Sequence, residues 1–235
     1  MIYCTGDIHG RVRRIIDFIR EQGLSPQDGI VILGDAGLNF YGPGHGDKRN
    51  KRRLNQAGVP ILCIHGNHEM RPETLPDYRE IRWRGGSVYA EADFPNLLFA
   101  KDGEVYDLDG VSAIAVGGAY SVDKPHRLAV GKSWFPDEQP SPEIKRRTEA
   151  QLDTLGWQVD VVLSHTCPER YIPTEAFHPG VDQSTVDQST EQWLGTLEAR
   201  LAYRAWFCGH WHINKTVDRM HFLFEEFFPL SEIKP

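Results

Sequence analysis

The stretch Met1-Ile2-Tyr3-Cys4-Thr5-Gly6-Asp7-Ile8-His9-Gly10 joins a short apolar run to a turn of glycine, carboxylate and imidazole. The same order recurs along the chain. Gly29–Leu33 leads into Gly34-Asp35-Ala36-Gly37, Val59–Ile64 into Gly66-Asn67-His68-Glu69, Val159–Leu163 into Ser164-His165, and Ala205–Cys208 into Gly209-His210-Trp211-His212. Two more runs, Val111–Val116 and Arg219–Phe228, complete the set. They are short, rich in Val, Ile and Leu, and bounded by Gly or Pro, which predicts buried strands.

Helical patterns lie between them. In Arg11–Gln22 the residues Val12, Ile15, Ile16 and Ile19 share one face, and Gly23 is a stop signal. Ser141-Pro142-Glu143 reads as an N-cap followed by proline at the first helical position, opening a helix to about Leu155 with Gly156 beyond it. Ser189-Thr190-Glu191-Gln192 opens another, with Trp193, Leu194, Leu197 and Leu201 as its apolar face. Lys48–Ala57 predicts a basic, mostly solvated helix. Strands alternating with helices make α/β the expected class. Pro72–Leu98 reads as irregular strands and loops, and Tyr120–Gln139 as a polar loop.

With 235 residues and no linker composition, the chain is expected to form one domain, 1–235. The formal charge of −7 argues against a basic nucleic-acid-coating protein. No apolar run reaches the ~18–20 residues of a membrane span. The N-terminus carries neither a basic leader nor a long apolar stretch, so no secretory signal is expected. The four cysteines, Cys4, Cys63, Cys167 and Cys208, form no CxxC pair. They read as reduced thiols in or near the core of a cytoplasmic protein.

The turns after the strands carry the chemistry. In an α/β sheet the carboxyl ends of neighbouring strands converge on one edge, where ligands bind. Asp7-Ile8-His9 and His210-Trp211-His212 each separate two ligands by one residue. In an extended segment both would face the same side, with Ile8 turned back into the core. The flanking glycines would let the backbone turn tightly there. Asp7, His9, Asp35, Asn67, His165, His210 and His212 supply seven donors of imidazole, carboxylate and amide type. One ion takes about four to six ligands, so this set suits two ions sharing a bridge. Nitrogen and oxygen donors without thiolate favour Mn, Fe, Zn or Co, with Mn foremost, over calcium or a structural zinc. A metal pair ~3.5–4 Å apart is suited to clamping phosphate oxygens and activating a water.

These five blocks, in this order, resemble the calcineurin-like metallophosphoesterase family, whose pattern is D-x-H, G-D, G-N-H-[DE], H and G-H-x-H. The matches run from Asp7 to His212. The resemblance implies a four-layer α/β/β/α sandwich of two mixed sheets flanked by helices, absorbing the strand-like material around Ser87–Phe99. It implies one ion held by Asp7, His9, Asp35 and His212, and a second by Asp35, Asn67, His165 and His210. It further implies His68 as general acid near the leaving group, a role suited to an imidazole, with Glu69 as a candidate orienting neighbour. The expected mechanism is in-line attack by a hydroxide bridging the two ions.

The family's protein Ser/Thr phosphatases follow G-D with D-R-G. Here Asp35 is followed by Ala36-Gly37-Leu38-Asn39-Phe40, which argues against a protein-phosphatase assignment. The segment Gly117-Gly118-Ala119-Tyr120-Ser121-Val122-Asp123-Lys124-Pro125-His126-Arg127 is similar to a region of lariat debranching enzymes, phosphodiesterases of the same family. Arg127 is thereby a candidate substrate-phosphate contact, against the plainer reading of a surface arginine. The expected substrate is a phosphate ester, monoester or diester, with a small molecule favoured over nucleic acid by the net acidity and no membrane partner. The alternatives are a nuclease or cyclic-nucleotide phosphodiesterase and, from another class, a non-catalytic metal-binding scaffold. His45, His65, His126, His178 and His221 read as structural or solvated, and the aromatics of Trp206-Phe207 and Phe222–Phe228 as core strand residues.

Overall fold

Alternate residues of each apolar run point to opposite faces, and this divides the side chains between three packed layers. The computed structural model describes residues 1–42 and 46–233. One mixed sheet has a parallel centre of β1 (Ile2–Thr5), β2 (Gly29–Ile32), β3 (Ile61–Cys63) and β6 (Leu97–Ala100). β5 (Gly86–Glu91) and β4 (Tyr78–Trp83) extend one edge antiparallel, and β13 (Phe228–Pro229) the other. The order of its seven strands is β13-β1-β2-β3-β6-β5-β4. In the second sheet β8 (Ser112–Val116), β9 (Val161–Ser164), β10 (Ala205–Cys208) and β12 (Met220–Phe222) run parallel. β7 (Val105–Asp107) and β11 (Lys215–Val217) are its antiparallel edges. Its six strands follow the order β11-β12-β10-β9-β8-β7.

Val31, Leu33, Leu62 and Ile64 of the first sheet meet Ala113, Ala115, Val161, Leu163 and Phe207 of the second in the central core. Their neighbours Ile30, Ile32, Ile61 and Cys63 face outward beneath α1 (Val12–Gln22) and α2 (Lys48–Asn55). On the far side Ile114, Val116, Val162, Trp206 and Cys208 pack under α4 (Pro142–Thr154) and α5 (Ser189–Glu198). The result is the expected α/β/β/α sandwich. Ser141 caps α4 by accepting from the Ile144 N–H at 3.2 Å, and Gly23 ends α1 at φ 63°.

Three local expectations are corrected. Arg219–Phe228 is not one strand: β12 belongs to the second sheet, the chain bends over 223–227, and β13 joins the first. Pro72–Leu98 is more regular than expected. β4 and β5 form a six-pair hairpin whose turn, Arg84-Gly85, has both φ angles positive (45° and 87°), the geometry that tight hairpins favour. Tyr120–Gln139 contains a short helix, α3 (Lys124–Ala129). α2 is mostly solvated as expected, with Lys51 and Leu54 buried; the Lys51 ammonium pairs with Glu91 and reaches the Tyr78 hydroxyl at 3.2 Å.

A buried ion pair holds the 117–139 segment beside the strand ends. Arg71 Nη1 donates to Asp102 Oδ2 at 2.6 Å and its Nε to the Asp137 carbonyl at 2.9 Å, while Asp102 Oδ1 accepts from the Gly117 N–H at 2.6 Å.

Candidate metal centre

The parallel registers bring the carboxyl ends of β1, β2 and β3 to one edge of the first sheet, and those of β9 and β10 to one edge of the second. The turns beyond these strands gather all seven candidate ligands. Asp7 is 1% exposed, with Oδ2 at 3.1 Å from His212 Nε2 and 3.6 Å from His9 Nε2. Those two imidazole nitrogens are 3.0 Å apart. Asp35 faces both halves of the cluster, with Oδ2 at 3.8 Å from His9 Nδ1 and Oδ1 at 3.9 Å from His165 Nε2. Asn67 Oδ1 lies 2.8 Å from His165 Nε2 and 3.1 Å from His210 Nδ1. Asp7, His9 and His212 bring one ligand atom each within 4.8 Å of one another, and so do Asp7, Asp35 and His165.

The hydrogen-bond network tests whether these donors fit a cation. His165 Nδ1 lies 2.8 Å from the Leu33 carbonyl, to which it can only donate. A neutral ring then presents a lone pair at Nε2. The Asn67 Nδ2 donates to the Ser121 hydroxyl at 2.8 Å, which turns the acceptor Oδ1 toward that lone pair. With the ring neutral, two acceptors face each other at 2.8 Å with no proton between them. A divalent cation that prefers nitrogen and oxygen satisfies both, so the residues fit such an ion.

Backbone conformation marks the same place. His9, Asp35, His210 and His212 have φ of 44°, 48°, 64° and 52°, four of the eight described non-glycine residues with positive φ. Each left-handed residue costs on the order of 1–3 kcal/mol, and such strain concentrates at functional sites. This corrects the expectation of extended D-x-H and H-x-H segments. Ile8 does turn into the core, but His9 reaches the cluster through a turn whose N–H bonds the Asp35 carbonyl at 2.8 Å. The glycines turn the backbone as expected, Gly10, Gly34 and Gly37 having φ of 74°, 96° and 66°, and two others have a further role. A Cβ at Gly66 would lie 2.1 Å from Asp35 Oδ1, and one at Gly209 would lie 2.3 Å from Asp7 Oδ1. At these positions the missing side chain makes room for another motif's carboxylate.

The charges respond to this crowding. Burial pushes the Asp7 carboxyl upward, but the hydrogen bond from His212 and the charges of His165, His212 and His9 outweigh it and hold it below the usual carboxylate range. The bond to Asp7 raises His212, whereas burial lowers His9 and takes His210 well below the ordinary imidazole value.

The model of the calcineurin-like phosphoesterases matches residues 1–214. The chain belongs to that family. Among solved structures, this family member is similar to the protein TT1561 of Thermus thermophilus, with 15% identity, a TM-score of 0.47, and coverage of 88% of this chain and 80% of that one. It is also similar to AQ665 from Aquifex aeolicus, a protein of unknown function, with 15% identity, a TM-score of 0.26, and coverage of 71% and 80%. Neither likeness bears on activity. No curated protein is similar enough in sequence to match. Among the described residues, no helix of this calcineurin-like chain is long and apolar enough to cross a membrane.

His68 stands beside the ligands in this phosphoesterase fold, its N–H donating to Asp35 Oδ1 at 2.8 Å and its ring centroid 6.0 Å from that of His9. Glu69 does not orient it. The Glu69 carboxylate turns inward to accept from the Gly66 N–H at 2.9 Å, and burial together with the charge of Asp35 pushes its pKa up to about 8. Arg127 sits on α3 and lines a cavity with His9, Asp35, His68 and His212, its Nε paired with Asp123 Oδ2 at 2.7 Å. His65 is buried, His126 is exposed, and His221 stacks on Phe207 with ring centroids 4.6 Å apart. His178, read as structural or solvated, lines a second cavity. Phe224 is not a core strand residue. It stacks on His212 at 4.6 Å. His45 lies outside the described residues.

Sequence reading missed two supports. Arg14 donates to the Phe224 carbonyl at 2.7 Å and to Thr5 Oγ1 at 3.1 Å, joining α1 to the residue stacked on His212. Ser121, quoted within a motif, had no role until its contact with Asn67 appeared. Residues 166–188 were also passed over. They connect β9 to α5 through three short 3-10 turns and cover one side of the site. Pro168, Pro173, Pro179 and Gly180 in a stretch without periodicity were the available signal.

Proposed function

We propose that this chain hydrolyses phosphate esters with two divalent cations, one held by Asp7, His9, Asp35 and His212 and the other by Asp35, Asn67, His165 and His210. The observation that carries the reading is the convergence of Asp7, His9 and His212, and of Asp7, Asp35 and His165, on points where their ligand atoms lie within 4.8 Å of one another, with His165 Nε2 and Asn67 Oδ1 2.8 Å apart beside them. A donor set of nitrogen and oxygen without thiolate is compatible with Mn, our choice for the assay, and with Fe, Zn or Co. When bound, such a pair supplies a nucleophilic water at neutral pH and positive charge for the phosphoryl oxygens.

The chain's own residues do the rest. His68 protonates the departing oxygen. Burial holds its pKa below the ordinary imidazole value, while Asp35 opposes that shift. A phosphoryl anion beside the ring would oppose that shift. Arg127 spends Nε on Asp123 and Nη1 on the Ser133 carbonyl, which leaves Nη2 for a phosphoryl oxygen. The adjoining cavity of about 500 Å³ suits a small substrate better than a nucleic acid strand. Four free, buried thiols suit a cytoplasmic, reducing setting.

Hydrolysis of p-nitrophenyl phosphate and bis(p-nitrophenyl) phosphate with added Mn²⁺ tests the reading. Turnover of the first alone defines a monoesterase, and of the second alone a diesterase. Turnover of neither by metal-loaded protein overturns the proposal in favour of a metal-binding scaffold.

A further inference from the structure

The cavity of about 500 Å³ beside the candidate centre has a floor made of Asp35, Asn67, His68 and His210. Its upper wall comes from the 166–188 connection and from Trp211. Ile172, Phe177 and Val186 are half-buried there, and the Phe177 and Trp211 ring centroids lie 6.2 Å apart at an interplanar angle of 34°. Two tilted rings beside aliphatic side chains form an apolar corner large enough for an aromatic group.

The formally charged side chains of the wall are carboxylates, but Asp123 is paired with Arg127 and burial raises the Glu191 carboxyl, so Asp187 is the charge that a substrate meets. Asp123, Asp187 and Glu191 line the cavity, and no described lysine or arginine does. Arg127 lines the adjoining cavity on the His9 side, which shares Asp35, His68 and His212 with this one. Asp187 is fixed in place, accepting from the Ser189 N–H at 2.9 Å and from Gln139 Nε2 at 3.0 Å. Burial opposes its ionisation, but these hydrogen bonds outweigh burial and keep it a carboxylate. A substrate group entering here loses water and meets fixed negative charge.

From this wall we infer that the organic group of the substrate is aromatic and uncharged or cationic, seated against Phe177 and Trp211, and that Asp187 excludes anionic groups. The inference rests on the phosphoesterase reading above and names the substrate class for that site. It makes Phe177 and Asp187 specificity-determining residues. It also excludes substrates whose organic part carries further phosphates or carboxylates at this position, such as a nucleic acid strand.

The test uses two esters with phenol leaving groups of similar size, 4-carbamoylphenyl phosphate and 4-carboxyphenyl phosphate, with the Mn²⁺-loaded full chain. The amide is expected to have a kcat/KM at least tenfold higher. Asp187→Asn is expected to shrink that ratio at least threefold. Phe177→Ala is expected to raise KM for 2-naphthyl phosphate about tenfold, with Phe177→Tyr restoring it. Equal kcat/KM for the two esters, or a ratio unmoved by Asp187→Asn, overturns the inference. Calorimetric binding of benzylphosphonate against 4-carboxybenzylphosphonate separates the two levels of failure. Discrimination in binding with no ester hydrolysed overturns the hydrolase reading and keeps the selectivity. Hydrolysis without discrimination keeps the hydrolase reading and overturns the selectivity.

Discussion

The Asn67 side-chain amide donates to the Ser121 hydroxyl at 2.8 Å. Ser121 is 1% exposed and lies 54 residues away, on the segment that the Arg71–Asp102 pair holds down. In this orientation the amide Oδ1 faces His165 and His210, and a buried hydroxyl supports the donor atom that a cation would meet.

Removing that hydroxyl should loosen one ion. Ser121→Ala is expected to weaken retention of one of the two cations by about 10–100-fold, the usual cost of losing an outer-sphere partner. Elemental analysis after dialysis should then find close to one ion per chain, with thermal stability little changed. Two tightly held ions in the variant would refute the role.

His68 and the ligands should separate by mutation. His68→Ala is expected to lower kcat by about 10²–10⁴-fold, the range for loss of a general acid. Metal content should stay at the wild-type level, because the His68 ring is assigned to no ion. If elemental analysis shows that the metals leave with His68, the division of labour between proton donor and ligand is wrong.

Two glycine-to-alanine changes should go in opposite directions. At Gly209 the new methyl would lie 2.3 Å from Asp7 Oδ1 and 2.7 Å from the Leu33 carbonyl. Gly209→Ala is therefore expected to cost about 1–3 kcal/mol by forcing the backbone apart. Gly195 lies inside α5, and its nearest neighbour to a new Cβ is 3.8 Å away. Gly195→Ala should stabilise by about 0.5–1 kcal/mol, because alanine loses less entropy in a helix. Urea titration of both variants checks the pair, and the same sign for both contradicts the packing described here.

Acid should weaken the fold partly through His221. Burial against Phe207 and Phe228 lowers its pKa from the ordinary 6.5. The unfolded chain then binds more protons than the folded one between the folded pKa and 6.5, so this contribution is complete above 6.5 and is lost as the pH falls through that window. His221→Phe keeps the stacking and removes the titration. Its unfolding free energy should depend less steeply on pH just below 6.5, by at most about 1.4 kcal/mol per pH unit for one proton. Parallel curves for variant and wild type would count against it.

The strands, the main helices and the converging ligand turns were legible in the residue order because local rules govern them. The unbroken apolar run Ile30–Leu33 marks a buried strand, Ser141-Pro142 opens a helix and Gly23 ends one, and each of these signals acts within a few residues. The metal-ligand candidates were legible for a related reason. Each stands directly after a strand, and parallel strands must end together. The tertiary structure alone decided how those donors are aimed. The left-handed backbone at His9 and His212, the space left at Gly66 and Gly209, and the grip of Ser121 on Asn67 arise between segments far apart in the chain. So do the inward turn of Glu69, the burial of Lys51 and the aromatic, acidic cavity under residues 166–188. A spacing pattern records neighbours along the backbone, whereas these features depend on which distant atoms come within a few ångströms once the two sheets have closed on their shared core.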